Sequence, residues 1–362
     1  MREHDKITVI MATFNSEEKL PRTLERLYAQ DFPREKLEVL VMDGGSTDRT
    51  REIATKFGAT VMDNPYTVPG WAKYIGLHAA KGRIALFLDS DEAYAETKSL
   101  ANIAQAFRDN SEVHLVTSSG YRSPEGYPFI NSYINEFGDP FSYFIYRLSK
   151  DARFYLRTMR KRYRITKETE QYAVFDLAKA DDLPLIEMYA MSSAIDVDYF
   201  EKEFPEAFRS QTEFSHVFNL FMARKPVLAI AKDSDIYHYS ADSVKSFLSK
   251  VNWRIRSNIA FEEIAERGFK GRSRYQKMQT KVRKYAFLPF TLLILPLVID
   301  ALHLCVTRRN FRYLGHVYLS LHTAFSILYY FARHKLGWSL EHSAYGTSIK
   351  VSEHREAGIK KS

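Results

Sequence analysis

The sequence predicts an α/β fold: a mostly parallel, doubly wound sheet followed by a C-terminal helical, membrane-associated hairpin. Three observations carry this expectation. Short apolar runs alternate with helical patterns up to about residue 100, two of those runs end on an aspartate, and two long apolar segments lie near the C-terminal end. Such alternation builds parallel sheets covered by helices, and ligands of such sheets sit at the carboxyl ends of the strands.

The elements follow in order. Residues 7–11 read as a first strand. Asn15 and Glu18 form a capping box before a helix whose apolar positions are Leu20, Leu24, Leu27 and Tyr28. Residues 37–42 are a second strand, ended by Asp43, Gly44 and Gly45. A helix from about Thr47 presents Ile53, Ala54 and Phe57 and stops at Gly58. Residues 60–62 are a third strand, 71–81 a helix closed by Gly82, and 84–88 a fourth strand running into Asp89. The chain divides into a main unit over 1–240, a basic helical connector over 241–285, an apolar hairpin over 286–335 and a polar tail over 336–362.

Composition narrows the class. Apolar residues at 45% and charged residues at 27% are ordinary for a folded chain and exclude wholesale disorder. The net charge of +8 favours an anionic partner: a nucleotide, a phospholipid surface or nucleic acid. The one cysteine, Cys305, excludes an internal disulfide. No secretory apolar region precedes the first strand, so the main unit is expected in the cytoplasm. Residues 143–164 are strongly basic, with Tyr143, Phe144, Tyr146, Phe154 and Tyr155 interleaved. They read either as a solvated helix face or as a contact for lipid headgroups or an acceptor's phosphates.

Segments 286–306 and 313–331 are each long enough to cross a hydrocarbon core of roughly 30 Å. Neither is clean: Asp300, His303, His316 and His322 interrupt them, and Arg308, Arg309 and Arg312 lie between or beside them. A spanning hairpin would place that basic loop outside, against the positive-inside tendency. Pro289 and Pro296 permit a bend. A hairpin lying in the cytoplasmic leaflet or its interface is therefore expected, ahead of a true span and of two core helices of a soluble domain.

Three local signals carry chemistry. Ala12, Thr13, Phe14, Asn15 and Glu17 follow the first strand and suit a base and a ribose, with an aromatic for stacking. Asp43 at a strand end can accept from a nucleobase edge or ribose hydroxyls, and the glycines after it permit close approach. Asp89, Ser90 and Asp91 set two carboxylates one residue apart after a buried strand. Such carboxylates repel unless a cation compensates, and Mg²⁺ or Mn²⁺ bound by one or two carboxylates plus substrate phosphates answers that.

On these motifs, together with 70–76 ahead of 80–82, the sequence resembles the family 2 glycosyltransferases over about residues 5–240. The resemblance implies a glycosyltransferase A-type, Rossmann-like catalytic domain over 1–240, with 1–100 binding a nucleotide sugar and 110–240, including a basic insertion at 143–170, on the acceptor side. It implies that Ala12, Phe14, Asn15, Glu17 and Asp43 hold the nucleoside and that Lys73 stands where the family usually has an arginine. It further implies that Asp89 meets the ribose or the metal and that Asp91 binds the metal. His238 is a further metal-ligand candidate. The general base falls on Glu213, the one acid left where the family has a Glu-Asp pair, with Asp196 and Asp198 in reserve.

The expected activity is inverting transfer from a nucleoside-diphosphate sugar, a UDP-sugar favoured. The expected acceptor is membrane-held, a lipid-linked glycan intermediate in cell-envelope polysaccharide or glycolipid synthesis, on the cytoplasmic face of a bacterial inner membrane. A transferase acting on polyprenyl phosphate is the related alternative, and a catalytically silent nucleotide-sugar-binding scaffold the alternative of another class. A dehydrogenase is disfavoured because no G-x-G-x-x-G follows the first strand. Nucleic-acid binding would explain the charge but not the paired aspartates or the apolar segments.

Overall fold

A computed structural model describes residues 2–184, 190–260, 269–338 and 340. Ile7, Val9, Ile10 and Met11 are fully buried, so the strand that holds them, β1 (Glu3–Thr13), is covered on both faces and reads as a continuous apolar run. Burying each such side chain stabilises the fold by about 1.5–3 kcal/mol. Beside β1 lie β2 (Leu37–Asp43), β3 (Thr60–Asp63) and β4 (Gly82–Phe87), all parallel. Their register sets Thr13 opposite Asp43, which brings the carboxyl ends of β1 and β2 together.

The remaining strands are β5 (Glu92–Tyr94), β6 (Leu115–Thr117), β7 (Tyr121–Arg122), β8 (Arg164–Glu168), β9 (Tyr172–Asp176), β10 (Ser193–Asp196), β11 (Val227–Ala231) and β12 (Ile236–His238). The main sheet has nine strands in the order β3-β2-β1-β4-β10-β6-β11-β9-β8. It is mixed rather than mostly parallel. β10 runs antiparallel to both β4 and β6, and β9 pairs antiparallel with β8 and β11. A small sheet, β5-β12-β7, sets His238 opposite Glu92, one residue past Asp91.

Two local expectations change. The capping box does not form: the helix Leu20–Tyr28 starts at a proline-bearing first turn, and Asn15 instead accepts from the Thr47 amide at 2.9 Å. Gly82 opens β4 beside β1 rather than closing a helix, and the approach there needs glycine, since a Cβ would lie 2.4 Å from the Lys6 carbonyl oxygen. Gly58 does stop its helix, at φ +80.

The C-terminal part holds the helices Val244–Ala260, Met278–Leu292, Leu295–Arg308 and Gly315–Lys335. The first apolar segment is thus two helices, bent by 97° at Leu293 and Ile294, the latter at φ +59. Pro289 lies inside the first helix and Pro296 in the first turn of the second. Among the described residues no single helix is long and apolar enough to cross a membrane, and only that bent pair passes by length and composition.

Three of the polar residues that interrupt the segments, Asp300, His316 and His322, tie them to neighbouring elements. Asp300 pairs with Arg147 at 2.6 Å and lies 3.7 Å from His316, whose Nδ1 is 2.6 Å from the Tyr133 hydroxyl. His322 lies 3.1 Å from the Asn252 side chain. Arg308 donates to buried Glu136 at 2.6 Å. Much of the 143–164 charge is engaged likewise: Arg153 pairs with Asp151, Arg160 with Glu168, and Arg162 donates to the Tyr146 carbonyl. The polar tail, apart from residues 336–338 and 340, lies outside the described residues.

Candidate active site

The carboxyl ends of β1, β2 and β4 open on a cavity of about 640 Å³ lined by Ala12, Phe14, Asn15, Glu17, Lys19 and Asp48, with Asp89, Ser90 and Asp91 along one side. Two loops make its wall, and their own side chains stitch them together. The Asn15 amide donates to Ser46 Oγ at 2.9 Å, Ser16 N to Thr50 Oγ1 at 2.7 Å, and Glu17 N to Asp48 Oδ2 at 3.0 Å. Asn15 sits at φ +44, a left-handed conformation that asparagine tolerates better than most residues. Burial opposes ionisation of Asp48, yet hydrogen bonds from Thr50 and the Glu17 amide hold its carboxyl below the ordinary range.

Asp43 lies behind the wall. Its carboxylate is fully buried and accepts from Thr13 Oγ1, the amides of Gly45 and Ser46, Ser46 Oγ at 2.5 Å and Arg51 at 3.1 Å. The nucleobase contact expected of Asp43 therefore has no oxygen turned to the cavity. In this arrangement the residue shapes the loop that Gly45, at φ +89, lets turn. Thr13 likewise faces Asp43 rather than the cavity.

The two acids after β4 have different partners. Asp89 Oδ1 accepts from the Nζ of Lys73, a fully buried lysine, at 2.6 Å, and Lys73 also donates to the Leu88 carbonyl at 3.2 Å. Lys73 thus fixes Asp89 and is itself out of reach of a nucleotide. Asp91 keeps looser company: Lys19 Nζ at 3.7 Å and His238 Nε2 at 3.8 Å. Ser90 joins the first loop through Ser16 Oγ at 3.2 Å and accepts from Thr23 through its carbonyl at 2.9 Å.

Behind these acids Glu92 is buried completely. It accepts from the Asp89 amide at 3.1 Å, the Tyr121 hydroxyl at 2.7 Å and the Met191 amide at 2.9 Å. Burial first, and the charge of Asp89 second, push its carboxyl well above the ordinary range. On the far side Lys250, from the helix Val244–Ala260, donates to Ser240. Burial pulls its ammonium down to about 8 while Asp91 acts the other way, and Lys19 and Arg254 add to the lowering. Arg254 lies 3.5 Å from Asp139. Neither Lys19 nor Lys250 carries a sequence signal beyond being a common surface lysine.

Among the described residues no three His, Cys, Asp or Glu side chains stand together as a ready cation site. Asp91 and His238 nevertheless fit one. A carboxylate oxygen and an imidazole nitrogen on one lip suit Mn²⁺ or Mg²⁺ that takes its remaining donors from phosphate and water. Asp89, expected as a second ligand, is held by Lys73 instead.

Glu213 does not line the cavity. It lies in the short helix Gln211–Phe214, with Ser210 as cap, and accepts from Arg274 at 2.9 and 3.2 Å. The helix does touch the site's scaffold, since Phe214 packs on Tyr74 and Phe87. The reserves lie elsewhere. Asp196 is buried against Arg83 at 2.6 Å and His114 at 3.2 Å, partners that hold its carboxyl far below the ordinary range although burial opposes them. Asp198 pairs with Arg2 at the surface.

Part of the chain is similar to known glycosyltransferases. The chain is 35% identical over 123 residues to the poly(ribitol-phosphate) beta-N-acetylglucosaminyltransferase TarS of Staphylococcus aureus, covering 32% of this chain and 21% of that protein. It is 30% identical over 125 residues to the 4,4'-diaponeurosporenoate glycosyltransferase of the same organism, 33% of this chain and 32% of that one. The chain therefore spans no more than a third of the length of these relatives. Its fold matches the mannosyltransferase PcManGT from Pyrobaculum calidifontis, solved with GDP-Man and Mn²⁺, at a TM-score of 0.51. That match covers 90% of this chain and 87% of the other at 15% identity, which speaks for the fold alone. The sequence profile of glycosyl transferase family 2 matches residues 8–173, the stretch that supplies every cavity-lining side chain.

Proposed function

We propose that the protein transfers a sugar, with inversion and with Mn²⁺ or Mg²⁺ bound, from a nucleoside-diphosphate sugar to an acceptor hydroxyl held at a membrane. The observation that carries this is Asp91, an acid on the lip of the cavity with His238 and Lys19 both within 4 Å. The two relatives, both named as glycosyl or acetylglucosaminyl transferases, support the reaction class. The mannosyltransferase of like fold was solved with GDP-Man and Mn²⁺, a donor and a metal of the classes proposed here. A UDP-sugar is the donor we favour. A lipid-linked glycan intermediate on the cytoplasmic face of a bacterial inner membrane is the acceptor, in keeping with the exposed apolar C-terminal helices.

Phe14 offers a ring for the base, and the stitched loops around Asn15 and Glu17 fix the wall against which the nucleoside lies. Asp91 and His238 would hold the cation, which when bound neutralises charge on the leaving diphosphate. Lys19 sits where a phosphate oxygen would meet it, and Lys73 keeps Asp89 from competing. The acceptor oxygen attacks the anomeric carbon, the bond from that carbon to the diphosphate oxygen breaks, and the hydroxyl proton passes to a carboxylate base, the part expected of Glu213 once it leaves Arg274.

A thermal-shift panel of nucleoside diphosphates tests the donor. Binding raises apparent stability by mass action, about 2.7 kcal/mol at a hundredfold excess over Kd. A nucleoside diphosphate with Mn²⁺ is expected to raise the unfolding midpoint more than either alone. No shift with any nucleotide sinks the reading.

Glu213→Gln tests the base. Loss of a positioned general base is expected to lower turnover by about 10²–10⁴-fold. Because Glu213 is tied to Arg274, its carboxylate must leave that partner to act. Unchanged turnover in the glutamine variant removes it from the mechanism. The Glu213–Arg274 pair is also the observation that favours a silent binding protein, and nucleotide binding without donor hydrolysis or transfer would establish that second reading.

A further inference from the structure

Among the described residues, 20 large apolar side chains are exposed, and all but Val244 lie between Met278 and Trp338. They are not scattered. Leu292, Leu293, Ile294 and Leu295 form the elbow of the bent pair, with Leu293 and Leu295 each 69% exposed. Soluble surfaces rarely gather such a patch without a partner.

The charge on this region has one sign. Asp300 is the only acid between residues 278 and 338, and Arg147 and His316 enclose it. Arg309, Arg312 and Lys335 are exposed. A second copy of the chain would bring the same cations to a two-fold interface with no acid to meet them. A bilayer carrying anionic headgroups offers both an apolar interior and the missing negative charge. The 97° elbow and the absence, among the described residues, of a single helix fit to span argue for burial from one side.

We infer that the C-terminal helices seat the protein in one leaflet of an anionic bilayer, with the elbow 292–295 inserted among acyl chains and Arg309 and Arg312 at headgroup level. This deepens the membrane-held acceptor of the proposed function and rests on that reading only for its purpose. The helix Val244–Ala260 links the two places: Lys250 faces Ser240 near Asp91, and Asn252 bonds Ser326 and His322 of the terminal helix. An acceptor anchored under the terminal helix therefore lies one helix away from the cavity wall.

The test is flotation of the full chain with vesicles of phosphatidylcholine alone or mixed with phosphatidylglycerol. The chain is expected to float with the mixed vesicles at least about tenfold better than with the neutral ones, and less so as salt rises. Leu293→Asp with Leu295→Asp is expected to cut flotation by roughly tenfold or more on both. Arg309→Gln with Arg312→Gln is expected to abolish the preference for the anionic vesicles. These side chains are exposed, so unchanged unfolding midpoints will show that the variants fold. Absence of flotation by the wild type, or flotation untouched by the elbow variant, overturns the inference. So does concentration-dependent self-association without flotation. The nucleotide thermal shift, measured without vesicles, separates the two readings. Its presence without flotation overturns this inference alone, and flotation without it overturns the transferase reading alone.

Discussion

Asp91→Asn is expected to lower kcat/KM by about 10²–10³-fold while leaving the unfolding midpoint unchanged, the scale seen when one preorganised electrostatic group is removed. The side chain is partly exposed, and its ion pairs with Lys19 and His238 are long, 3.7 and 3.8 Å, so neutralising it breaks no tight pair. The backbone contact survives, because the Tyr239 amide donates to the Asp91 carbonyl and not to its carboxylate. Thermal shift should lose the extra rise that Mn²⁺ gives with a nucleoside diphosphate and keep the rise from nucleotide alone.

Asp89→Asn makes the contrast. It strands the ammonium of fully buried Lys73, whose other bond is to the Leu88 carbonyl, so this variant should lose stability as well as activity. Two aspartates one residue apart then give different signatures, one in catalysis and one in folding. Wild-type turnover with an intact Mn²⁺ increment in Asp91→Asn would remove Asp91 from the site.

That difference between neighbours shows where the sequence is readable and where it stops. The apolar runs that become β1, β2 and β4 are legible because each is buried on both faces and ends abruptly on a polar residue. The cavity's position follows from those ends. The sign of β10 is not legible: Ser193–Asp196 is a strand of four residues arriving from a distant part of the chain, and nothing in its pattern says which way it enters between β4 and β6. Nor does the sequence reveal that Lys73 is buried. A lysine at the apolar-facing position of a helix is read as a phosphate ligand until its partner, 16 residues on, is seen. Glu213 fails for the same reason, since Arg274 is 61 residues away. In the C-terminal part the composition is informative and the geometry is not. Ile294 turns the chain from a left-handed conformation that β-branched residues rarely adopt, and no periodicity announces it.

Glu136→Ala is expected to cost about 3–5 kcal/mol, the range for removing one partner of a buried ion pair. Glu136 has no exposed surface. It accepts from Arg308 Nε at 2.6 Å, from Ser149 Oγ at 2.9 Å and from the Tyr313 hydroxyl. Burial pushes its carboxyl up, while Arg308 and Tyr313 act to keep it ionised. Alanine leaves a mostly buried guanidinium and a buried phenol without their acceptor, and the unfolding midpoint should fall by roughly 4–7 °C on the entropy scaling for a chain of this size. Replacing both charges, Glu136→Leu with Arg308→Met, should recover most of that loss, because the penalty lies in the stranded charge more than in the missing attraction. If Glu136→Ala unfolds at the wild-type midpoint, the pair does not fasten the C-terminal helices to the body. The consequence reaches the site, since the Glu136 carbonyl accepts from Lys150 N, whose own carbonyl accepts from Tyr121 N, and the Tyr121 hydroxyl donates to Glu92 behind Asp89. A loosened seat for the apolar helices is thus three residues away from the acids that line the cavity, so the alanine variant should lose transfer to a membrane-held acceptor more steeply than it loses nucleotide binding.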